Sequence, residues 1–331
     1  MIHYEALTLD ALCERLAKRQ NTLILLHARP DGDAIGSALA LRELLRAMGI
    51  PALCACADDA PERLRFLTDT EQGSLLLEEG MELDHERVIS VDSASPEQLG
   101  ALYAKFHHDI TLMIDHHRAG TPYADYYIDP DACATGEIIY ALAKRLCERG
   151  YLSEIPKRVL YNVYAAICSD TGAFRFANVT PQTFRVAAEL LEAGVPADEI
   201  CRALYDSKSE KQIRAEGEAA CRLNLYDGGK IASTTFPYEV KEELELSNEH
   251  LETVIDVPRS VAGALVAFAV KQPDDTNVYR ISMRSSADFD VSAVCKKFGG
   301  GGHVRAAGCS VRADSVEDAE KKILCAIRER M

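Results

Sequence analysis

The sequence predicts an α/β protein: a parallel-sheet N-terminal domain with helices on both faces, joined by a helical linker to a smaller α/β C-terminal domain. Its length of 331 residues exceeds what one core of common size requires, so two domains are expected. Through the first third of the chain, short apolar runs alternate with helical patterns, as parallel strands joined by crossovers do. Past residue 229 the pattern changes to strands, two of them separated by the polar turn QPDDTN of a hairpin. The expected boundaries are 1–205, a linker at 206–228, and 229–331.

The elements follow in order. A helix from Asp10 to Arg19 precedes a buried strand, Leu23 to His27. Next come a helix from Ala34 to Met48, a strand from Ala52 to Ala55, and strands at Val88 and Leu112 with short helices between. A helical region spans Ala134–Arg149, Pro156–Cys168, Pro181–Glu192 and Asp198–Tyr205, with proline at or near several starts. Ser209 to Leu225 reads as a polar bridging helix, and the acid-rich Val240–Glu252 as a solvated one. The last domain has strands at Lys230–Phe236, Ala264–Val270 and Val278–Met283, a helix at Val291–Phe298 and a closing helix at Val316–Arg330.

Composition narrows the function classes. No apolar stretch reaches the roughly 18 to 20 residues of a membrane span, and the first residues carry acids where a signal peptide has basic and apolar regions. The expectation is a cytoplasmic protein with no membrane partner. Eleven scattered cysteines without a CxxC pair fit buried reduced thiols. A formal net charge of −15 opposes tracking along long nucleic acid, because such binding neutralises many phosphates. Short substrates escape that requirement, and a small basic set (Arg284, Lys296, Lys297, His303, Arg305) lies close together in an otherwise acidic chain.

Chemistry concentrates where apolar runs end. LILLHARPDGDAIGS delivers His27 at a strand end, then Asp31 and Asp33 one residue apart on a turn that Gly32 allows to bend tightly. The following helix aims its N–H groups at the same place. Asp-Gly-Asp is also a common turn and cap sequence, so this segment alone leaves both readings open. Recurrence shifts the balance toward metal. VISVD ends in Asp92, LMIDHH in Asp115, His116 and His117, and AAICSDTG in Asp170, and four such ends can converge on one sheet edge. Four carboxylates (Asp31, Asp33, Asp92, Asp170) can balance two divalent ions, with His27 and His116 as nitrogen donors. Asp115 is expected to orient a neighbouring imidazole. His117 is then left to face substrate as a proton donor.

The segments HARPDGDAIGS, VISVD, IDHHRAG and SDTG resemble the four motifs of the DHH phosphoesterases, and KKFGGGGHVRAAG (Lys296–Gly308) resembles the glycine-rich signature of the C-terminal domain associated with them. Together they span about residues 20 to 310, nearly the whole chain. The resemblance is to the nanoRNase and pAp phosphatase branch. It implies a metal-dependent hydrolase that cuts dinucleotides to about pentamers into mononucleotides and dephosphorylates pAp. It also implies that His27 and Asp31 hold one ion, that Asp33, His116 and Asp170 hold the other, and that Asp92 bridges them. Manganese ranks first, with magnesium, cobalt and zinc open on ligand type. Arg284 resembles a position meeting the terminal phosphate, so the second domain would hold the far end of the substrate.

Gly300, Gly301 and Gly302 are expected to offer backbone N–H groups, with His303 at a following helix start contacting phosphate or base. Arg118 and Arg175 are weaker phosphate contacts, while Ser37 and Thr171 are either hydrogen-bond donors or caps. The alternative function is a phosphodiesterase of cyclic or linear dinucleotides. A RecJ-like exonuclease, an inorganic pyrophosphatase and a silent nucleotide sensor rank below it. The oligomeric state is open, a homodimer included.

Overall fold

The computed structural model describes residues 4–68, 84–286 and 289–331, which fall into two compact units divided between Ser207 and Lys208. The first unit runs α1 (Leu9–Leu16), β1 (Thr22–Leu25), α2 (Gly32–Ala47), β2 (Ala52–Ala55), α3 (Arg65–Thr68), β3 (Arg87–Val91), α4 (Ala101–Phe106), β4 (Ile110–Asp115) and β5 (Asp125–Ile128). It continues through α5 (Thr135–Glu148), α6 (Lys157–Asp170), α7 (Pro181–Glu192) and α8 (Ala197–Cys201).

Its five strands are all parallel, in the order β2-β1-β3-β4-β5. Every residue of β1 and β3 is buried, which is why these strands read as unbroken apolar runs. The faces carry separate cores. On one side Ile24, Ile89 and Ile114 pack with residues of α1, α2, α5 and α6. On the other, Leu23, Leu25, Val88 and Met113 pack with Leu99, Leu102 and Phe106. The chain runs outward from β1 to β2 and returns to β3, so the strand order reverses between β1 and β3, where doubly wound sheets form their crevice.

Helix packing here depends on small residues. A Cβ at Gly36 would stand 2.6 Å from the Asn162 carbonyl oxygen, and one at Gly136 would stand 2.5 Å from Ala166 Cβ. α2 and α5 therefore both approach α6 at backbone distance. Arg87 is a buried guanidinium that donates to Thr22 Oγ1 and to the Arg15 and Leu16 carbonyls at the end of α1. It adds a strong donor to carbonyls at the end of the helix. The outer edge of β5 meets residues 5–7, with Tyr126 N–H donating to the Glu5 carbonyl and Leu7 N–H to the Tyr126 carbonyl.

The second unit comprises α9 (Glu210–Cys221), β6 (Asn224–Tyr226), β7 (Ile231–Phe236), α10 (Tyr238–Glu243), α11 (Asp256–Arg259), β8 (Val266–Lys271) and β9 (Val278–Ser285). α12 (Val291–Lys296), β10 (Gly301–His303), β11 (Ala306–Arg312) and α13 (Val316–Arg328) complete it. Its mixed sheet has the order β10-β11-β9-β8-β7-β6, with β7 and β8 parallel and the other neighbours antiparallel. Residues 206–228 straddle the division, and α9 from that stretch buries Ala215 and Ala219 against Phe236 in the second unit.

Several expectations need correction. The four ends do not all belong to the sheet edge: Asp170 is the last residue of α6, two residues past the expected helix end at Cys168, so three strand ends and one helix end supply the acids and histidines. β5, β6, β10 and β11 are additional strands. The acidic 240–252 stretch is broken into the end of α10 and 3₁₀ turns at Glu249–Leu251 and Thr253–Ile255. No helix starts at His303: the glycine run is a strand, and β10 and β11 form a hairpin. A Cβ at Gly300 would collide with the Gly308 carbonyl, and Gly302 has φ +137° beside the Ala306 carbonyl, so glycine is what lets the two backbones meet.

Candidate metal centre

β1, β3 and β4 each end beside the switch point, and each is followed by one of the flagged groups. His27 leaves β1, Asp92 leaves β3, and Asp115, His116 and His117 close β4. Asp31 is the N-cap of α2, its Oδ1 accepting from the N–H groups of Asp33 and Ala34 at 3.0 Å each. Asp33 is the second residue of that helix, in its first turn. Asp92 adopts φ +57°, a left-handed backbone that aspartate tolerates better than most residues.

The imidazoles are oriented from behind. His27 Nδ1 lies 2.9 Å from the Ala28 carbonyl oxygen, and His116 Nδ1 lies 3.3 Å from that of Ala132. A nitrogen facing a carbonyl carries a proton, which leaves Nε2 as the inward atom of each ring and the one that would ligate a cation. His27 Nε2 then meets Asp31 Oδ1 at 3.8 Å and Asp92 Oδ2 at 3.7 Å. His116 Nε2 meets Asp33 Oδ2 at 3.7 Å, Asp92 Oδ1 at 3.8 Å and Asp170 Oδ2 at 3.8 Å. These separations are too long for hydrogen bonds and suit donor atoms arranged around a cation. Three overlapping groups result among the described residues: His27 with Asp31 and Asp92, Asp33 with His116 and Asp170, and Asp92 with His116 and His117. Asp92 turns Oδ2 toward His27 and Oδ1 toward His116, so it faces both of the first two.

Electrostatics agree with that chemistry. Burial, then the neighbouring Asp92, Asp170 and Asp31, push Asp33 well above the usual carboxylate range. Burial raises Asp170 to about 6 against the opposing charge of His116, with Asp31 and Asp92 pushing the same way as burial. For His27, burial opposes the charge, but the carboxylates of Asp31 and Asp92 outweigh it and lift the ring to about 11. Burial would raise Asp31 too, yet His27 and two backbone N–H groups draw it down to about 2. So many acids stay ionised together only with positive charge among them, which protons supply in the metal-free chain and divalent ions would supply otherwise. The donor set fits cations.

Asp115 behaves differently from its sequence neighbours. Its Oδ1 accepts from His116 N–H and from His117 Nδ1, both at 2.8 Å, so the imidazole it orients is that of His117. Burial works against the His117 cation, but Asp115, Asp92 and Asp170 raise its pKa to about 9. Its Nε2 points away from the Asp115 contact. Ser37 proves to be a donor, its Oγ lying 2.7 Å from Asp33 Oδ1, whereas Thr171 caps the end of α6 by donating to the Ile167 carbonyl.

Other candidates lie elsewhere. The Arg118 side chain is 75% exposed and held by Asp131 and the Pro130 carbonyl, a surface pairing. Arg175 donates to the Gly172 carbonyl and covers the Tyr205 ring. In the second unit, Arg284 stands on β9 between Ala267 and Ala306, and its Nη1 donates to the Met283 carbonyl. Gly301 faces open space, but Gly300 and Gly302 are committed to the hairpin, and the His303 side chain lies outside the described residues. Lys297 pairs with Glu329.

Three contributors escape a reading of the sequence. Thr135 and Gly136, opening α5, donate backbone N–H groups to Asp33 at 2.7 and 3.0 Å, and Thr135 Oγ1 donates to Asp92 Oδ1 at 2.8 Å. Asn178 Nδ2 donates to Asp170 Oδ2 and to the Cys133 carbonyl. The helix-start pattern ATGE was a weak signal for the first two; Asn178 gave none.

Fold and site define a class of two-unit α/β proteins with a cation-type ligand cluster at the switch point of the first sheet. The chain belongs to the DHH family: residues 21–167 match the DHH family N-terminal domain, and residues 229–329 match the DHHA1 domain. It is similar to the bifunctional oligoribonuclease and PAP phosphatase NrnA of Thermus thermophilus, at 31% identity over 92% of this chain and 88% of that protein. The cyclic-di-AMP phosphodiesterase GdpP of Geobacillus thermodenitrificans is 25% identical over 96% of this chain but only 49% of its own length. A crystal structure of an exopolyphosphatase-related protein from Bacteroides fragilis has a TM-score of 0.87 at 23% identity, over 97% of this chain and 95% of that one, a likeness of fold.

Proposed function

We propose that this chain is a two-cation phosphoesterase that hydrolyses very short oligoribonucleotides to mononucleotides and dephosphorylates pAp, acting in the cytoplasm. The observation that carries this reading is the inward convergence of His27, Asp31, Asp33, Asp92, His116 and Asp170 at one point of the first sheet. Two divalent ions bound there, manganese first in rank, would activate a water and neutralise charge on the phosphoryl oxygens. Asp92, with one oxygen toward His27 and one toward His116, is the bridging ligand. Asp115 holds the His117 ring so that Nε2 can donate to the phosphate or to the leaving oxygen. Arg284 and the open Gly301 backbone are assigned to the remainder of the substrate.

Support comes from the NrnA relative, matched over most of both chains, and from the net charge of −15, which disfavours long polyanions. Similarity to the cyclic-di-AMP phosphodiesterase makes dinucleotide second messengers the second reading. Among the described residues no helix is long and apolar enough to cross a membrane. The test is a manganese-supplemented hydrolysis panel of dinucleotides, pentanucleotides, long RNA, pAp, cyclic dinucleotides and pyrophosphate. Fastest turnover on dinucleotides and pAp is expected; preference for a cyclic dinucleotide moves the assignment to the second reading, and preference for pyrophosphate overturns both.

A further inference from the structure

We infer that Thr135 is a positioning residue for the bridging carboxylate, locking Asp92 in the rotation that shows one oxygen to His27 and the other to His116. This rests on the two-cation reading above and extends it to a residue outside the ligand set.

Thr135 is fully buried and is the first residue of α5. Ala134, the N-cap, has no side chain able to accept from the first turn, so the α5 donors are left for other partners. Asp33 takes two of them, capping α5 from a different helix through Thr135 N–H and Gly136 N–H. The Thr135 hydroxyl is directed at Asp92 Oδ1. One residue therefore touches both Asp33 and Asp92.

Asp92 needs such a hold. The terminal torsion of a carboxylate is broad, so nothing intrinsic keeps its oxygens apportioned between His27 and His116. Its left-handed backbone adds a tendency to relax. Separations of 3.7 to 3.8 Å to His27, His116 and His117 are too long for any of them to fix the rotation by hydrogen bonding. The Thr135 hydroxyl, at 2.8 Å, does so, and its β-branched side chain has little rotational freedom of its own.

Valine keeps the shape of threonine and removes the donor; serine keeps the donor. Wild type, Thr135→Val and Thr135→Ser, stripped of metal, are titrated with manganese by calorimetry, and electron paramagnetic resonance reads whether two ions are magnetically coupled. Turnover of a dinucleotide follows. Thr135→Val is expected to weaken at least one manganese site by about 10- to 100-fold. It should also lose the coupled signal and lower kcat with little change in KM, while Thr135→Ser stays near wild type. If valine does not fold, Thr135→Ala takes its place against serine.

Unchanged affinity and coupling in the valine variant overturn the inference. So does a serine variant as impaired as valine, which marks a packing role, or a wild type that binds no manganese. A wild type that holds a coupled pair yet hydrolyses neither dinucleotide nor pAp removes the proposed function and leaves the role of Thr135 intact.

Discussion

A proton and a divalent ion compete for the same oxygens at this site. Asp170, raised from 3.8 to about 6 chiefly by burial, holds its proton in the folded chain over a range where the unfolded chain has released it. Stability from this group is therefore complete below about pH 4 and is lost as pH rises through 6. Asp33 is shifted in the same direction. Chelator-treated protein should lose several degrees of Tm between pH 5 and 7, measured by calorimetry, with the slope removed by saturating manganese and reduced in Asp170→Asn. A flat metal-free profile contradicts this. Asp92→Ala should leave less than about a tenth of the activity on every substrate, since it removes the carboxylate that faces both His27 and His116. Single residues were legible in the sequence where chemistry is dense, as at Asp115, His116 and His117. They were not where a backbone N–H or a neutral hydroxyl acts, because Thr135 looks like any other helix-opening threonine.

Elements deliver those residues, and here the packing of α2 and α5 on α6 governs. Gly36 and Gly136 allow backbones close enough that Asp33, on α2, and Asp170, ending α6, face the same imidazole. Gly36→Ala should cost about 1 to 3 kcal/mol by overpacking. It should also lower activity more than an equally destabilising change remote from the site, a comparison that urea titration and turnover assays make directly. Equal activity losses at equal stability would rule out a spacing role. Buried parallel strands were legible because both faces are covered and their residues run apolar. β5 was not, since its residues DYYI are all half-buried and show no period. The β10–β11 hairpin escaped for a related reason: glycine has no hydrophobic signature, so GGGGH suggests a cradle as readily as a strand.

For the molecule as a whole, length, the alternation of strand and helix patterns and five ordered motifs made the two-unit α/β architecture readable, while no periodicity in the sequence reports which helices touch. Acidity overall and a cation such as Arg284 on β9 suit a small polyanion better than a long one. Arg284→Ala should raise KM for dinucleotides by about tenfold or more, the loss of a charge-assisted contact. Turnover of p-nitrophenyl phosphate should stay within about twofold; equal losses on both substrates count against a substrate contact. The pairing of residues 5–7 with β5 bears on how the chain folds. The two partners lie 120 residues apart in sequence, as the Glu5–Asp125 bond shows, so this contact closes a long loop and forms only at an entropic cost. Without it the outer flank of β5 would offer unpaired backbone groups to foreign strands, so a single distant segment doubles as a guard against aggregation.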